Sequence, residues 1–85
     1  MSYQVQTKNS AASEIRKLSP DIQKRIIEKI ASLEDNPRPN GCVKLKSNLD
    51  LYRARVGKFR IIYHIDDPCA TVTITRVSHR RDAYT

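Results

Sequence analysis

Apolar and polar residues alternate along residues 51–65 (LYRARVGKFRIIYHI), on both sides of the pair Gly57-Lys58. Such alternation is typical of half-buried strands, and a two-residue loop that begins with glycine fits a type II′ hairpin turn. The two strands are therefore predicted to pair antiparallel, with Arg55 opposite Arg60. Because paired residues share a face, one face collects the apolar side chains of Tyr52, Ala54, Val56, Phe59, Ile61, Tyr63 and Ile65.

The other face of this hairpin is rich in arginine. It carries Arg53, Arg55, Arg60 and His64, with only Leu51 and Ile62 among them. Like charges that lie directly opposite each other destabilise a sheet, by up to about 1 kcal/mol. The pair of Arg55 and Arg60 therefore favours an anion bound between them. A charged face that only keeps the strand soluble is the alternative.

The residues before the hairpin predict one strand and two helices. Residues 2–7 alternate as a short strand, and Asn9 or Ser10 can cap a first helix. Residues 19–21 (Ser-Pro-Asp) mark the start of the second helix, because serine caps, proline fits the first helical position and the carboxylate favours the first turn. The second helix has an apolar stripe, formed by Ile22, Ile26, Ile30 and Leu33. Its charged residues predict a solvated face, which comprises Lys24, Arg25, Glu28 and Lys29.

The residues around the hairpin complete the predicted sheet. Residues 42–46 predict a short extended piece, and residues 70–77 predict a last strand in which Arg76 interrupts the alternation. That interruption indicates either a β-bulge or the end of the strand. The order of elements predicts an α+β fold for a single domain of residues 1–85. In this fold, a two-helix hairpin packs on one face of a small, mainly antiparallel, four-stranded sheet.

The composition narrows the partners that such a small domain can have. The chain has 85 residues, with 16 Lys and Arg against 9 Asp and Glu, a formal net charge of +7. This excess favours a polyanionic partner, either nucleic acid or an acidic protein segment. Cys42 and Cys69 are too isolated for a metal site and predict free thiols in a reducing compartment. No segment has the apolar run of a signal peptide or a membrane helix, so the cytoplasm is the expected location, without a membrane partner.

The closing residues 78–85 (SHRRDAYT) show neither helical nor strand periodicity but contain many groups suited to chemistry. His79, Arg80, Arg81 and Tyr84 follow the last strand directly. The tail is therefore predicted to fold back near the arginine-rich face of the hairpin.

Residues 52–67 (YRARVGKFRIIYHIDD) and 77–84 (VSHRRDAY) resemble the RelE/ParE superfamily of toxins from bacterial type II toxin–antitoxin modules. The match is closer to the RelE branch and covers essentially the whole chain. The resemblance implies an mRNA interferase, an endoribonuclease that cuts mRNA in the ribosomal A site without a metal or cofactor. The 2′-hydroxyl of the RNA attacks the adjacent phosphorus, which requires a base, an acid and cations around the charged phosphorane.

The catalytic residues that the resemblance implies are Arg53, Arg55, Arg60, Arg80 and Tyr84, and His79 is added to them as a candidate for proton transfer. Arg53 and Arg55 stand where RelE has lysines, and arginine, with a pKa above about 12, has almost no neutral form to act as a base. His79 is the first candidate for that role and His64 the second, because an imidazole titrates near pH ~6.5. Tyr84 would stack on an RNA base. Contacts to the RNA are expected from Lys44, Lys46, Lys58, His64 and Arg81.

The resemblance also implies the partners. They are a cognate, RelB-like antitoxin, which covers the basic surface with an acidic and amphipathic segment, and the ribosome with its mRNA. The toxin–antitoxin complex would bind operator DNA through the antitoxin. Two alternatives stay open: a ParE-like inhibitor of DNA gyrase that cleaves no RNA, and a non-catalytic module that binds an antitoxin or acts as a co-repressor.

Overall fold

The computed structural model describes residues 2–45 and 50–79, which form two helices and a mixed sheet of five strands. The elements in chain order are β1 (Gln4–Thr7), α1 (Asn9–Arg16), α2 (Pro20–Ser32), β2 (Val43–Lys44), β3 (Leu51–Val56), β4 (Phe59–Asp66) and β5 (Thr71–His79). The strand order is β1-β5-β4-β3-β2, in which β1 lies parallel to β5 and the other neighbours are antiparallel.

The predicted α+β class, with two helices packed on one face of a mainly antiparallel sheet, is confirmed. The predicted number of four strands is wrong, since the sheet has five. The strand that is hardest to predict from the sequence is β2, which contains two residues and pairs with Arg53 and Tyr52. Two residues are too few to show an alternation of apolar and polar side chains, so pairing with β3 defines this strand.

The β3–β4 hairpin has the predicted register, with Arg55 opposite Arg60. At the turn, Gly57 has a φ of +58°, whereas Lys58 does not adopt a positive φ. A type II′ turn requires this combination, and a residue with a Cβ would be strained at position 57. The glycine therefore sets which side chains of the two strands share a face.

Both helices start near the predicted residues but without side-chain caps. α1 begins at Asn9, so neither Asn9 nor Ser10 is its N-cap. Ser19 occupies the N-cap position of α2, yet its side chain makes no capping hydrogen bond, and the proline after it stands at the first helical position as predicted. Packing of the apolar stripes, more than capping, therefore holds the helices.

The core lies between the helices and one face of the sheet. It contains Ala11, Ile15, Ile26 and Leu33 from the helical half of the chain, and Tyr52, Ala54, Ile61, Tyr63, Ile65, Val72, Ile74 and Val77 from the strands. The predicted apolar face of the hairpin is thus confirmed, with Val56 and Phe59 only partly buried next to the turn. Burial of one large apolar side chain stabilises a fold by about 1.5 to 3 kcal/mol. These residues therefore hold the two layers together.

β5 contains a β-bulge at Thr75. Ile62 pairs with Arg76 and Tyr63 pairs with Ile74, so Thr75 has no partner residue in β4. Its hydroxyl donates instead to the carbonyl of Ile62 at 3.0 Å. The interruption seen in the sequence is therefore a bulge and not the end of the strand. Because strand side chains alternate, residues after the bulge exchange faces.

Polar side chains form a hydrogen-bond network at the end of the sheet that lies away from the β3–β4 turn. Arg38 donates to Asp67 at 2.8 Å and to the hydroxyl of Tyr52 at 3.2 Å, and Tyr3 donates to Asp67 at 2.7 Å. The hydrogen bonds from Arg38 and Tyr3 hold the pKa of Asp67 below its ordinary value. This Arg38–Asp67 network joins the residue before β1, the loop after α2, β3 and the β4–β5 turn.

Candidate functional site

The face of the sheet opposite the helices carries the arginine residues predicted from the hairpin. We call Arg53, Arg55, Arg60 and His64 the arginine face. The strand residues between them, such as Ala54 and Ile61, are buried against the helices. Since successive side chains of a strand point to opposite faces, these four residues project to the other side.

Arg60 is the most deeply buried cation of the arginine face. It lies on β4, between Arg55 on β3 and Ser78 on β5. Arg60 is only 7% exposed, whereas Arg55 is exposed. A charge buried this far is stable only where surrounding groups compensate for the lost water, so its position is closely constrained. Arg60 can therefore hold an anion from a fixed position, and Arg55 can approach the same anion from solvent.

Arg53 lies farther from the turn, opposite Ile62 on β4 and Val43 on β2. It is half-buried, and its Nε has no hydrogen-bond partner among the residues that the structure describes. Arg53 and Arg55 both line a groove of about 450 Å³ at the edge of the sheet. Guanidinium groups in this arrangement have donors available for a phosphate or a carboxylate.

The structure separates His79 from the arginine face. The His79 ring packs edge-on against Phe59, with ring centroids 5.1 Å apart, and lines a cavity of about 420 Å³ with Glu14 and Leu18. It thus lies on the helix face, because the bulge at Thr75 exchanges the faces of the residues after it. The predicted position of His79 beside the arginines is wrong for this reason. Its role as the base stays a prediction.

His64 is the histidine that shares the arginine face. It is half-buried on β4, four residues from Arg60, so the two backbones are about 13 Å apart along the strand. Arg53 lies diagonally across from it on β3, at a backbone distance of about 7 to 8 Å. An imidazole at this position can take part in proton transfer near Arg53 more readily than near Arg60.

Of the lysines expected to contact RNA, the structure describes Lys44 and Lys58. Lys44 is exposed on β2, 3.6 Å from a carboxylate oxygen of Asp50, and Lys58 is exposed in the hairpin turn. Lys58 lies next to Arg55 and Arg60 and can position a phosphate backbone, whereas Lys44 pairs with Tyr52 and therefore shares the helix face of the sheet. The remaining predicted residues lie outside the described part of the chain: Lys46, Arg80, Arg81 and Tyr84.

Two cations of α2 also belong to this region, although their charges predict only a solvated face. Lys29 lines the same groove as Arg53 and Arg55. The Arg25 guanidinium lies 3.4 Å from the position that a Cβ on Gly57 would occupy. One feature of the sequence could have revealed this position. Arg25 and Lys29 are four residues apart beside the apolar stripe of α2, so both side chains lie on the same side of the helix, over β3.

Glu14 of α1 supports the part of β5 that lies beside Arg60. Its Oε1 accepts a hydrogen bond from the backbone N–H of Val77 at 2.8 Å, and its Oε2 lies 3.6 Å from Nε of Arg76. β1 pairs with β5 only as far as Ile74, so Glu14 replaces a neighbouring strand beyond that point. No local sequence signal reveals this contact, because the two partners are 63 residues apart.

The described side chains offer few ligands for a metal ion. Among residues 2–45 and 50–79, no group of three or more His, Cys, Asp or Glu side chains could hold one. Cys42 is half-buried and Cys69 is exposed, and both thiols are free, as predicted. In the same part of the chain, no helix has the length and apolar character needed to cross a membrane.

Comparison with known proteins adds evidence from sequence. Residues 5–84 match the family model described as ParE toxin of type II toxin–antitoxin system, parDE. Toxin RelG of Mycobacterium tuberculosis is 34% identical to this chain, over 99% of this chain and 98% of that protein.

Two solved structures have the same fold over nearly their whole length. The archaeal RelE–RelB complex from Pyrococcus horikoshii contains a chain with a TM-score of 0.85 and 29% identity, which covers 94% of this chain and 97% of that one. The toxin–antitoxin complex RelBE2 from Mycobacterium tuberculosis contains one with a TM-score of 0.82 and 33% identity, with coverage of 94% and 93%.

Proposed function

This chain belongs to the RelE/ParE superfamily of toxins from type II toxin–antitoxin systems, and we propose that it is a ribosome-dependent mRNA endonuclease. The observation that carries the proposal is the buried Arg60, held between strands and directly opposite Arg55. Two guanidinium groups on opposite strands can both bind a phosphate that lies between them. The scissile phosphate of an mRNA in the ribosomal A site is that anion.

The reaction needs no metal if arginine carries the charge of the phosphorane. The 2′-oxygen forms a bond to phosphorus while the bond from phosphorus to the 5′-oxygen breaks, which leaves a 2′,3′-cyclic phosphate. A base takes the proton of the 2′-hydroxyl, and an acid gives a proton to the departing 5′-oxygen. Arg60 and Arg55 contact the non-bridging oxygens, where a positioned cation stabilises the developing charge. Arg53 and Arg80 add further positive charge, and Tyr84 stacks on a base.

The proton transfers are assigned to histidine, because the arginines on this face have almost no neutral form. His64 shares the face with Arg53, whereas His79 lies on the helix face beside Phe59. The geometry therefore favours His64 as the base, and His79 can act only on RNA that passes the end of β4. Lys44, Lys46, Lys58 and Arg81 hold the phosphates on either side.

The proposed partners follow from the family and the charge. The two solved relatives are complexes of RelE-type chains with RelB antitoxins, and we propose a RelB-type antitoxin for this chain. A net charge of +7 on 85 residues suits both this protein partner and ribosome-bound mRNA. Operator DNA would be bound through the antitoxin, and action on the ribosome places the protein in the cytoplasm.

The test is to map mRNA ends by primer extension on a message held in programmed ribosomes. Purified chain is added or omitted, and the same RNA without ribosomes serves as the control. New ends within the A-site codon, only in the ribosomal sample, are the expected result. Intact message in every sample would refute the endonuclease.

A second candidate function is inhibition of DNA gyrase, which the match to the ParE family model favours. In that case the arginine face would contact protein and no RNA would be cut. Purified chain would inhibit supercoiling by gyrase, and its expression would induce DNA-damage signalling while mRNA stays intact. These two readouts separate the candidates directly.

A further inference from the structure

The last residues of β5 have a neighbouring strand on only one side. β1 pairs with β5 as far as Ile74, whereas β4 pairs with β5 as far as His79. Among the described residues, no strand lies beside Val77 or Ser78 on the side away from β4. A strand end with one neighbour opens more readily than the centre of a sheet, because fewer hydrogen bonds hold it. The end of β5 therefore needs another group to fix its position.

The carboxylate of Glu14 on α1 supplies that group. Its Oε1 accepts a hydrogen bond from the N–H of Val77 at 2.8 Å, and the Glu14 side chain is 33% exposed. Its Oε2 lies 3.6 Å from Nε of Arg76, a distance too long for a hydrogen bond. The contact with Val77 is therefore the stronger of the two. That contact requires an oxygen acceptor and does not require a negative charge.

The residue after Val77 lies directly beside the most deeply buried arginine of the site. Ser78 pairs with Arg60 on β4, and Arg60 is 7% exposed and Ser78 8% exposed. Arg60 is therefore enclosed by Ser78 on one side and by Arg55 of β3 on the other. If the end of β5 moved away from β4, water would reach the Arg60 guanidinium and its side chain would gain further rotamers.

We propose that Glu14 is a positioning residue for Arg60 in the cleavage of RNA. Its carboxylate holds Val77, the adjoining Ser78 stays next to Arg60, and Arg60 keeps one orientation on the arginine face. The proposal rests on the proposed endonuclease function. Because α1 lies on the opposite face of the sheet, Glu14 contacts no reacting atom and acts only through the backbone of β5.

The position of Arg60 should affect the chemical step more than the binding of RNA. A displacement of about 1 Å from the productive geometry can lower a rate about 10²-fold, and a donor that must reorganise in the transition state stabilises it less. Arg55 and Lys58 are exposed near the hairpin turn and do not depend on β5 for their contacts with phosphate. Loss of the Glu14 contact should therefore lower kcat and leave KM nearly unchanged.

Two substitutions at position 14 separate the acceptor from the charge. Glu14→Ala removes both, whereas Glu14→Gln keeps an oxygen for the N–H of Val77. With programmed ribosomes as substrate, we expect kcat to fall about tenfold in Glu14→Ala, with KM within about twofold of the native value. Glu14→Gln should recover kcat to within about threefold. Native kcat in Glu14→Ala, or equal losses in both variants, would overturn the proposal.

The pH dependence distinguishes positioning from proton transfer. If Glu14 acts only through Val77, the pH–rate profile of Glu14→Gln keeps the native shape. A profile that loses one of its limbs would show that the carboxylate itself exchanges a proton with the RNA. That result would contradict a positioning role.

Gln23→Ala is the matched control for a general loss of stability. Nε2 of Gln23 donates to the carbonyls of Arg16 at 3.3 Å and Leu18 at 2.8 Å, so these hydrogen bonds lie in the connection between α1 and α2. Urea denaturation should show that both Gln23→Ala and Glu14→Ala are less stable than the native chain, and only Glu14→Ala should have a lower kcat. An equal loss of kcat in Gln23→Ala would refute a specific role of Glu14.

Amide hydrogen exchange tests the same contact without RNA. In the ¹⁵N-labelled chain, exchange of the Val77 amide should be about tenfold or more faster in Glu14→Ala and close to native in Glu14→Gln. The Nε–H resonance of Arg60 should shift in Glu14→Ala only. The amide of Val72, which lies between β1 and β4, is the internal control. Unchanged exchange at Val77 would overturn the proposal.

The two kinds of measurement separate this proposal from the proposed function. If the native chain and Glu14→Ala cut ribosome-bound mRNA equally well, the endonuclease stands and the positioning role fails. If the native chain cuts no mRNA, the endonuclease fails and the role of Glu14 in cleavage fails with it. In that case the signals of Val77 and Arg60 still decide whether Glu14 holds the arginine in place.

Discussion

Arginine side chains gather near both ends of the β3–β4 hairpin, and the two groups differ in what lies next to them. Away from the turn, Arg38 meets Asp67 at 2.8 Å and lies 5.0 Å from the centre of the Tyr52 ring. Near the turn, Arg55 lies directly opposite Arg60. Among the residues that the structure describes, Arg38 forms an ion pair with Asp67, whereas neither Arg53 nor Arg55 forms an ion pair.

The difference between these two regions separates stability from binding. The Arg38–Asp67 network joins four segments of the chain through charge-assisted hydrogen bonds, which stabilise the folded state. Opposed guanidinium groups destabilise it by up to about 1 kcal/mol. An anionic ligand removes that repulsion, so the arginine face is suited to a partner and the network to the fold. Variants that alter one region and leave the other intact should therefore change either activity or stability, but not both.

The largest effect is expected from Arg60→Ala, which removes the buried cation of the arginine face. Cleavage of ribosome-bound mRNA should fall about 10²- to 10³-fold, because the charge on the phosphorane loses a positioned donor. Initial rates from primer extension measure this effect. Arg60→Lys keeps the charge but loses the planar pair of donors, so it should recover only part of the activity. Unchanged cleavage by Arg60→Ala would contradict the assignment.

Histidine variants are expected to have the next largest effect and to distinguish the two faces of the sheet. His64→Ala should lower the cleavage rate about 10²-fold and flatten the pH–rate profile, since a proton acceptor is lost. His79→Ala should have a smaller effect, because its ring lies against Phe59 on the helix face. Cleavage rates across the range in which an imidazole titrates provide the measurement. A larger loss with His79→Ala would show that RNA reaches the helix face.

Arg38→Ala alters the opposite region and should affect stability without affecting cleavage. Loss of its ion pair and its contact with the Tyr52 ring should lower the free energy of unfolding by about 1 kcal/mol. Urea denaturation measures the change. Arg55→Ala is the matched control, and its stability should stay equal or rise slightly because a like-charge pair is removed. If the two variants were equally destabilised, the contrast between the regions would be incorrect.

The smallest effect is expected from pH acting on the Arg38–Asp67 network. The hydrogen bonds from Arg38 and Tyr3 lower the pKa of Asp67 in the folded state. In the unfolded chain the Asp67 carboxyl group binds its proton at a higher pH than in the folded chain. The stabilisation of the fold by ionised Asp67 is therefore complete above a pH of about 4 and is lost as the pH falls through the folded pKa. The unfolding temperatures of the native chain and Asp67→Asn should therefore differ at neutral pH and converge in strong acid, below the folded pKa. A difference that persists there would refute the linkage.

Local signals in the sequence were sufficient to define the hairpin, its register and the composition of both its faces. A glycine at the first turn position and an alternation that only Leu51 and Ile62 interrupt allow only one pairing that keeps charged residues out of the core. The members of the arginine face therefore follow from residues 51–65 alone. The stripe of α2 is equally local, since a period of 3.6 residues is enough to define it.

Contacts between distant segments define which face His79 occupies and how long β2 is. The length of β2 in turn decides how much of the edge of β3 stays unpaired. The face of His79 depends on one unpaired residue, Thr75, whose position is set by pairing across two strands. The groove depends on Gly41 leaving the sheet while α2 places Lys29 over the free edge of β3. The hydrophobic periodicity of one segment does not reveal which distant segment it contacts. Local preferences define the strands and helices, whereas their mutual packing defines which charged groups meet.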